Sequence, residues 1–129
     1  MEIDLYPSFF RLAKRVSKLS NYKIKMGAVL VNKSTVISIG HNKLTYNKDY
    51  CHPLKKLHAE SCCIKKAGRD DLSGCTIYVY REGSNGIPRL AKPCEDCMKL
   101  LMEKNVKRIF YSTHLYPYFE VINITYEHS

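Results

Sequence analysis

The sequence predicts an α/β fold in one domain that spans residues 1–129, with a mixed five-stranded sheet covered by helices. Three observations lead to this prediction. Segments with helical and strand periodicity follow one another in the order α-β-β-α-β-α-β-β. The β-α-β-α-β middle of that order favours a parallel core with helices packed on the sheet. Residues 112–118, between the last two strands, are too few for a crossover of about a dozen residues, so those strands should be antiparallel.

The first predicted element is a helix over Ser8–Ser20, with Ser8 after Pro7 as its N-terminal cap. Apolar residues fall on one face at helical spacing: Phe9, Leu12, Ala13, Val16 and Leu19. Basic residues fill the other face: Arg11, Lys14, Arg15 and Lys18. A charge run of this kind is most simply a solvated face, and an anion-binding role is the alternative.

The next two elements are apolar, β-branched runs over Met26–Asn32 and Thr35–Ile39. Because only Lys33 and Ser34 separate them, they predict a hairpin. The second strand ends at Gly40-His41-Asn42, and a polar loop containing tyrosines follows it.

The second half of the chain continues the alternation of helices and strands. A helix over Leu57–Ala67 is stopped by Gly68, and a strand over Thr76–Tyr80 follows. Residues 82–91 contain glycine and proline and predict a long loop. The remaining elements are one helix and two strands: Cys94–Lys104, Val106–Tyr111 and Phe119–Tyr126.

The composition restricts the class of protein. Lys and Arg number 21 against 12 Asp and Glu, a formal charge of +9, which favours a phosphorylated partner; solubility alone is the other explanation. No apolar run is long enough to span a membrane, and the N-terminal residues lack the apolar segment of a signal peptide. We therefore expect a cytoplasmic protein without membrane partners.

We expect the six cysteines to be free thiols or metal ligands and not to form disulfides. In a reducing compartment, two of them serve as ligands and the others are small buried apolar side chains. A second metal site formed by Cys51 and His52 with Cys62 or Cys63 is the less favoured alternative.

Two motifs indicate the chemistry of the chain. His58-Ala59-Glu60 opens one predicted helix, and Pro93-Cys94-Glu95-Asp96-Cys97 opens the next. His58, Cys94 and Cys97 offer an imidazole and two thiolates, which zinc favours, and three protein ligands leave the fourth position free for chemistry. The two cysteines lie three residues apart and so point to one side of a helix start, where the helix dipole favours thiolate.

Glu60 is not spaced to share the metal with His58, because positions two apart on a helix point in different directions. From the first turn of the helix it can still face a water beside the metal and move protons. A structural zinc site would have no use for this carboxylate and would need a fourth ligand.

On these motifs the sequence resembles the zinc-dependent cytidine and deoxycytidylate deaminase superfamily, which includes tRNA adenosine deaminases and the APOBEC polynucleotide deaminases. The resemblance covers residues 26–111. It implies a three-layer fold with a five-stranded mixed sheet between helices, and zinc held by His58, Cys94 and Cys97. It also implies Glu60 as the proton shuttle, and a homo-oligomer.

The resemblance further implies that Asn42 contacts the substrate sugar and that the backbone of Ala59 hydrogen bonds the base. The tRNA and APOBEC types have a helix between the last two strands, for which this chain has no room. The compact free-nucleoside type lacks that helix, yet it usually has cysteine in the position of His58.

Three functions are therefore in competition. The first is deamination of a free cytosine nucleotide or nucleoside, with a deoxynucleotide such as dCMP favoured. The chain has little length beyond the catalytic core for the loops or helices with which a polynucleotide deaminase holds flanking nucleotides. The second is deamination of single-stranded DNA or tRNA, which the basic charge would suit. Loop tyrosines could stack on a base in either case: Tyr46, Tyr50, Tyr116 and Tyr118. The third is a zinc-binding module without catalysis.

Overall fold

The computed structural model describes residue 5 and residues 7–46 and 53–126. Helices and strands alternate along these residues in an order close to the predicted one. The helices are α1 (Phe9–Ser17), α2 (Ala59–Ala67) and α3 (Glu95–Glu103). The strands are β1 (Met26–Asn32), β2 (Thr35–His41), β3 (Lys43–Tyr46), β4 (Pro53–Leu57), β5 (Cys75–Arg81), β6 (Arg108–Ser112) and β7 (Phe119–Asn123).

The main sheet has five strands in the order β2-β1-β5-β6-β7. Strands β6 and β7 are antiparallel, which confirms the prediction drawn from their short connection. The predicted parallel core is correct only for β5 and β6. The turn at Lys33 and Ser34 folds β2 back on β1. On its other side β1 pairs with β5, so β1 lies between β2 and β5 and is antiparallel to both. Helix α2 therefore crosses over β1 to connect β2 with β5.

Side chains on the central strands alternate between two cores, one on each face of the sheet. Ala28 and Leu30 of β1 pack with residues of α2 and α3, whereas Val29 and Val31 pack with α1. Strand β5 follows the same alternation, with Ile77 and Val79 toward α2 and α3 and Tyr78 and Tyr80 toward α1. Helices thus cover both faces, and the predicted three-layer fold is confirmed.

The core under α1 is aromatic and closely packed. The ring of Tyr78 stacks on that of Phe110 at 4.8 Å, and Phe10 meets Tyr78 edge-on at 5.5 Å. Gly27 allows α1 to lie directly on β1, because a Cβ there would be 2.1 Å from the carbonyl oxygen of Ala13. Helix α1 is shorter than predicted. It ends at Ser17, whose hydroxyl donates to the Lys14 carbonyl at 2.6 Å and competes with the helical hydrogen bonds.

Because α1 ends early, the prediction that Leu19 lies on its apolar face is wrong. Leu19 lies beyond the helix, and 63% of it is exposed. Two strand ends also differ from the prediction, since β6 begins at Arg108 and β7 ends at Asn123. Val106, predicted to start β6, forms instead an isolated bridge with Ser73.

The largest difference from the prediction is a second sheet where the sequence indicated a loop. Strands β3 and β4 pair antiparallel, with Lys43 opposite Leu57. Pro53 is the first residue of β4, a position where a strand tolerates proline. Leu57 therefore ends a strand, and α2 begins two residues later than predicted, at Ala59. No helix in the described part of the chain is long and apolar enough to cross a membrane.

Candidate zinc site

The two helices that carry the motifs begin side by side. His58 is the cap residue of α2 and Cys94 that of α3, and both have extended backbone, with φ and ψ of −86° and 151° for His58 and −68° and 170° for Cys94. Cys97 is in the first turn of α3. The structure thus brings together the three predicted metal ligands at two helix N-termini, where the helix dipoles favour negative sulfur.

The spacing of the donor atoms fits zinc. The Nδ1 atom of His58 lies 3.6 Å from the sulfur of Cys94 and 3.4 Å from that of Cys97. Tetrahedral zinc with ordinary Zn–S and Zn–N bonds places such atoms about 3.5 Å apart. Among the described residues, these three form the only group of His, Cys, Asp and Glu that could hold a metal ion. The cluster therefore has the donor chemistry and the size of a three-ligand zinc site, with Nδ1 as the histidine ligand.

The surroundings of Cys97 disfavour a free thiolate. Burial raises the pKa of its thiol, and the carboxylate of Glu60 and the neighbouring Cys94 raise it further. A thiolate at this position is therefore stable only beside a positive charge such as a divalent metal.

Glu60 lies directly beside the cluster without belonging to it. It is 2% exposed, and its carboxyl group hydrogen bonds with Cys97. Burial raises its pKa above the ordinary value; its backbone hydrogen bond, the charge of His58 and the bond with Cys97 act in the opposite direction. A buried carboxyl group whose pKa is raised is suited to accepting and returning protons.

Strand β2 fixes the position of α2. A Cβ on Gly40 would lie 2.5 Å from the amide nitrogen of Cys63 and 2.7 Å from the carbonyl oxygen of Ala59, so only glycine permits this approach. The hydroxyl of Ser38 donates to the carbonyl of Cys63 at 2.8 Å. Helix α2, and with it His58, is therefore held closely against the sheet.

The end of β6 fixes the chain that leads into α3. Ser112, the last residue of β6, is fully buried. Its hydroxyl donates to the carbonyl of Arg89 at 2.7 Å and accepts the amide of Arg81 at 3.0 Å. Its carbonyl accepts the amide of Ala91 at 2.9 Å. Ser112 could not be identified from the sequence, because a serine at the end of an apolar run carries no signal of this role.

The two residues expected to contact substrate are both buried. Asn42 is 1% exposed, and its amide group bonds with the backbone of Ile24 and Met26. Ala59 is the first residue of α2, where a helix offers the backbone N–H no internal partner. With respect to the described residues, each keeps polar capacity for a ligand: one N–H and one lone pair on Asn42, and the amide of Ala59.

Some of the remaining candidates lie in the described residues and some outside them. Tyr116 is 86% exposed and meets Tyr118 edge-on at 6.0 Å. Tyr50, Cys51 and His52 lie outside the described residues, so the second metal site stays a prediction. Its other proposed ligands, Cys62 and Cys63, lie in α2; burial raises the pKa of Cys63 to about 11. Tyr46 is the last residue of β3.

Comparison with known proteins gives a family match and related sequences. The model of the cytidine and deoxycytidylate deaminase zinc-binding region matches residues 4–113. A tRNA-specific adenosine deaminase from Aquifex aeolicus (strain VF5) is 29% identical over 110 residues, which cover 81% of this chain and 63% of that protein. The chain thus spans less than two thirds of the length of this relative.

Solved structures show the same fold. The dCMP deaminase from the cyanophage S-TIM5 has a TM-score of 0.62 at 24% identity, over 81% of this chain and 79% of that one. A cytidine deaminase from Burkholderia pseudomallei has a TM-score of 0.67 at 18% identity, over 93% of both chains. These likenesses support the three-layer fold.

Proposed function

This chain belongs to the cytidine and deoxycytidylate deaminase family, and on that premise we propose that it hydrolytically deaminates a cytosine nucleotide or nucleoside, of the dCMP kind, to the uracil product. The observation that supports this most is the buried carboxyl group of Glu60 beside the group formed by His58, Cys94 and Cys97. A closed structural zinc site has no use for such a carboxyl group, so a zinc-binding module without catalysis is not favoured.

The chemistry divides between a metal and a proton carrier. When bound by His58, Cys94 and Cys97, zinc supplies a Lewis acid that makes water nucleophilic near neutral pH. The oxygen of the attacking water bonds to C4 of the cytosine base while Glu60 takes a proton from that water. Glu60 then gives this proton to the ring nitrogen next to C4. It then takes the remaining proton from the oxygen now bonded to C4 and passes it to the amino group, and the C4–N bond breaks to release ammonia. The base gains an oxygen and loses the amino group.

The substrate is held, on this proposal, by Asn42 at the sugar and by the backbone amide of Ala59 at the base. Both lie at the end of the sheet where α2 begins, since Asn42 follows β2 and Ala59 opens α2. Their burial would exclude water from the bonds they make and strengthen them.

The connection between β6 and β7 favours a free nucleotide over a polymer. Residues 113–118 form a short antiparallel turn, with no helix of the kind that the tRNA and APOBEC types place there. The dCMP deaminase and cytidine deaminase named above share the fold, and one structure of the former holds dCMP and dUMP.

Deamination of single-stranded DNA or tRNA is the second candidate. The relative from Aquifex aeolicus is a tRNA-specific adenosine deaminase, and the charge of +9 would suit a polyanion. On this alternative, the exposed ring of Tyr116 would be available to stack on a base.

We also propose a homo-oligomer, from the family resemblance, and a cytoplasmic location. The free thiols of Cys62, Cys63 and Cys75 suit a reducing compartment. Light scattering of the purified protein would measure the oligomeric state.

The test is ammonia release from dCMP, cytidine, adenosine and a single-stranded oligonucleotide by protein purified without chelator. We expect turnover on dCMP or cytidine. The matched control is Glu60→Gln, which should keep about one zinc per chain but lose about 10²–10⁴-fold in kcat. Turnover of the oligonucleotide alone, falling steeply with salt, would establish the second candidate instead. Near-normal activity of Glu60→Gln would contradict the proton-transfer role.

A further inference from the structure

We propose that Ser112 is a positioning residue for the zinc ligand Cys94, acting through the segment Arg89–Ala91. The proposal rests on the zinc site proposed above. Ser112 touches no ligand atom; it holds the backbone from which Cys94 extends.

Cys94 depends on its backbone for its position. Its side chain is exposed, so packing does not hold it, in contrast to the buried Cys97. It also follows loop 82–91, which separates it from the end of β5. A loop of this length can take many conformations unless its end is fixed.

Ser112 fixes that end. Its hydroxyl joins the amide of Arg81, where the loop leaves the sheet, to the carbonyl of Arg89, where it returns. The amide of Arg89 also donates to the carbonyl of Arg81 at 3.0 Å, which closes the base of the loop. The carbonyl of Ser112 then accepts the amide of Ala91, so both the hydroxyl and the carbonyl of Ser112 bond to this junction.

From the junction to the ligand the chain is short, and two of its residues are buried. Ala91 and Pro93 are both buried, and Cys94 follows Pro93 directly. Pro93 also restricts the backbone between Ala91 and Cys94. A displacement of Ala91 is therefore passed on to the sulfur of Cys94, whereas the tip of the loop can move without affecting it.

The chain offers a matched control for simple loss of a buried hydroxyl. Ser17 is also fully buried and donates its hydroxyl to a backbone carbonyl, that of Lys14 at 2.6 Å. It lies on α1, on the face of the sheet opposite the zinc-bearing helices. Both Ser→Ala variants should lower the melting temperature, but only Ser112→Ala should alter the metal site.

The experiment measures zinc affinity by competition with a chelator, and the visible and near-ultraviolet spectrum after substitution with Co²⁺. For Ser112→Ala we expect zinc affinity about 10–100-fold weaker and a changed cobalt–thiolate band, since loss of a group that orients a ligand has effects of this size. Ser17→Ala should match the wild type in both. A Ser112→Ala variant with wild-type affinity and spectrum would overturn the proposal.

A second pair of variants tests the junction if Ser112→Ala does not fold. Arg89→Pro removes the N–H that bonds to the Arg81 carbonyl at the junction. Ile87→Pro removes the N–H that bonds to the Asn85 side chain within the loop tip. Arg89→Pro should weaken zinc binding and Ile87→Pro should not; equal effects would overturn the proposal. Wild-type protein that binds no zinc would instead contradict the proposed function, and this inference with it.

Discussion

The amide oxygen of Asn42 accepts the backbone N–H of Met26 at 2.9 Å, and its nitrogen donates to the carbonyl of Ile24 at 2.5 Å. The residue expected to hold the sugar therefore also fixes the start of β1. These two roles can be separated by measurement, because one concerns stability and the other substrate affinity.

Asn42→Ala should lower the free energy of unfolding by on the order of 2 kcal/mol, because it leaves backbone groups of Ile24 and Met26 without partners. It should also raise KM for the nucleotide while the zinc content stays unchanged. The control is Asn21→Ala, since Asn21 is exposed and its amide group bonds in the same way with the backbone of Leu44. Denaturant unfolding and steady-state kinetics measure the two effects. Loss of stability with an unchanged KM would leave Asn42 a structural role alone.

Zinc affinity should fall as the pH is lowered through neutrality. Burial raises the pKa of the Cys97 thiol, so without metal this group is protonated at neutral pH, and zinc must displace the proton to bind the thiolate. The sign follows directly, because a lower pH favours the protonated, metal-free form. Calorimetry in two buffers of different ionisation enthalpy should show at least about one proton released per zinc at pH 7. Zinc affinity that does not depend on pH would show that Cys97 is not a ligand.

Gly40→Ala should weaken both the fold and the zinc site. The added Cβ would lie 2.5 Å from the backbone of Cys63, so α2 must move away from β2, and overpacking of this kind costs about 1–3 kcal/mol. Because α2 carries His58 at its start, zinc affinity should fall as well. Gly68→Ala is the control. Alanine at position 68 would be strained by the positive φ of 65°, so this variant should lose stability as well. Nothing lies within 4 Å of the added Cβ, so α2 need not move.

In that control variant, thermal unfolding should show a lower melting temperature, and chelator competition should show an unchanged zinc affinity. A Gly40→Ala protein that binds zinc as tightly as Gly68→Ala would mean that the approach of β2 to α2 does not position His58.

The candidate metal ligands could be found from the sequence because each half of the motif is local: His58 directly precedes a helix, and Cys94 and Cys97 are separated by one turn. The two halves lie 36 residues apart, and the resemblance to the deaminase signature was what joined them. The antiparallel pairing of β6 and β7 was predictable for a similar reason, since a short connection leaves no other geometry.

Features that depend on contacts between distant segments were not predictable in this way. The position of β1 between β2 and β5 depends on the order of strands in the sheet, which the order along the chain does not specify. The short strands β3 and β4 were not predicted, because four or five residues give too few repeats to show a period. The hydrogen bonds of Ser112 were not predicted, because its partners Arg81 and Arg89 are more than twenty residues away along the chain.

The closed base of loop 82–91 has a consequence for how this protein can change over evolution. Since Arg81 and Arg89 are hydrogen bonded to each other, residues added between them lengthen only a loop whose ends already meet. Doubling the length of such a loop costs only about 0.6 kcal/mol of chain entropy. The tip can therefore gain or lose residues with little penalty, and an affinity tag or a new recognition sequence could be inserted there while the ligand sulfur after it stays in place.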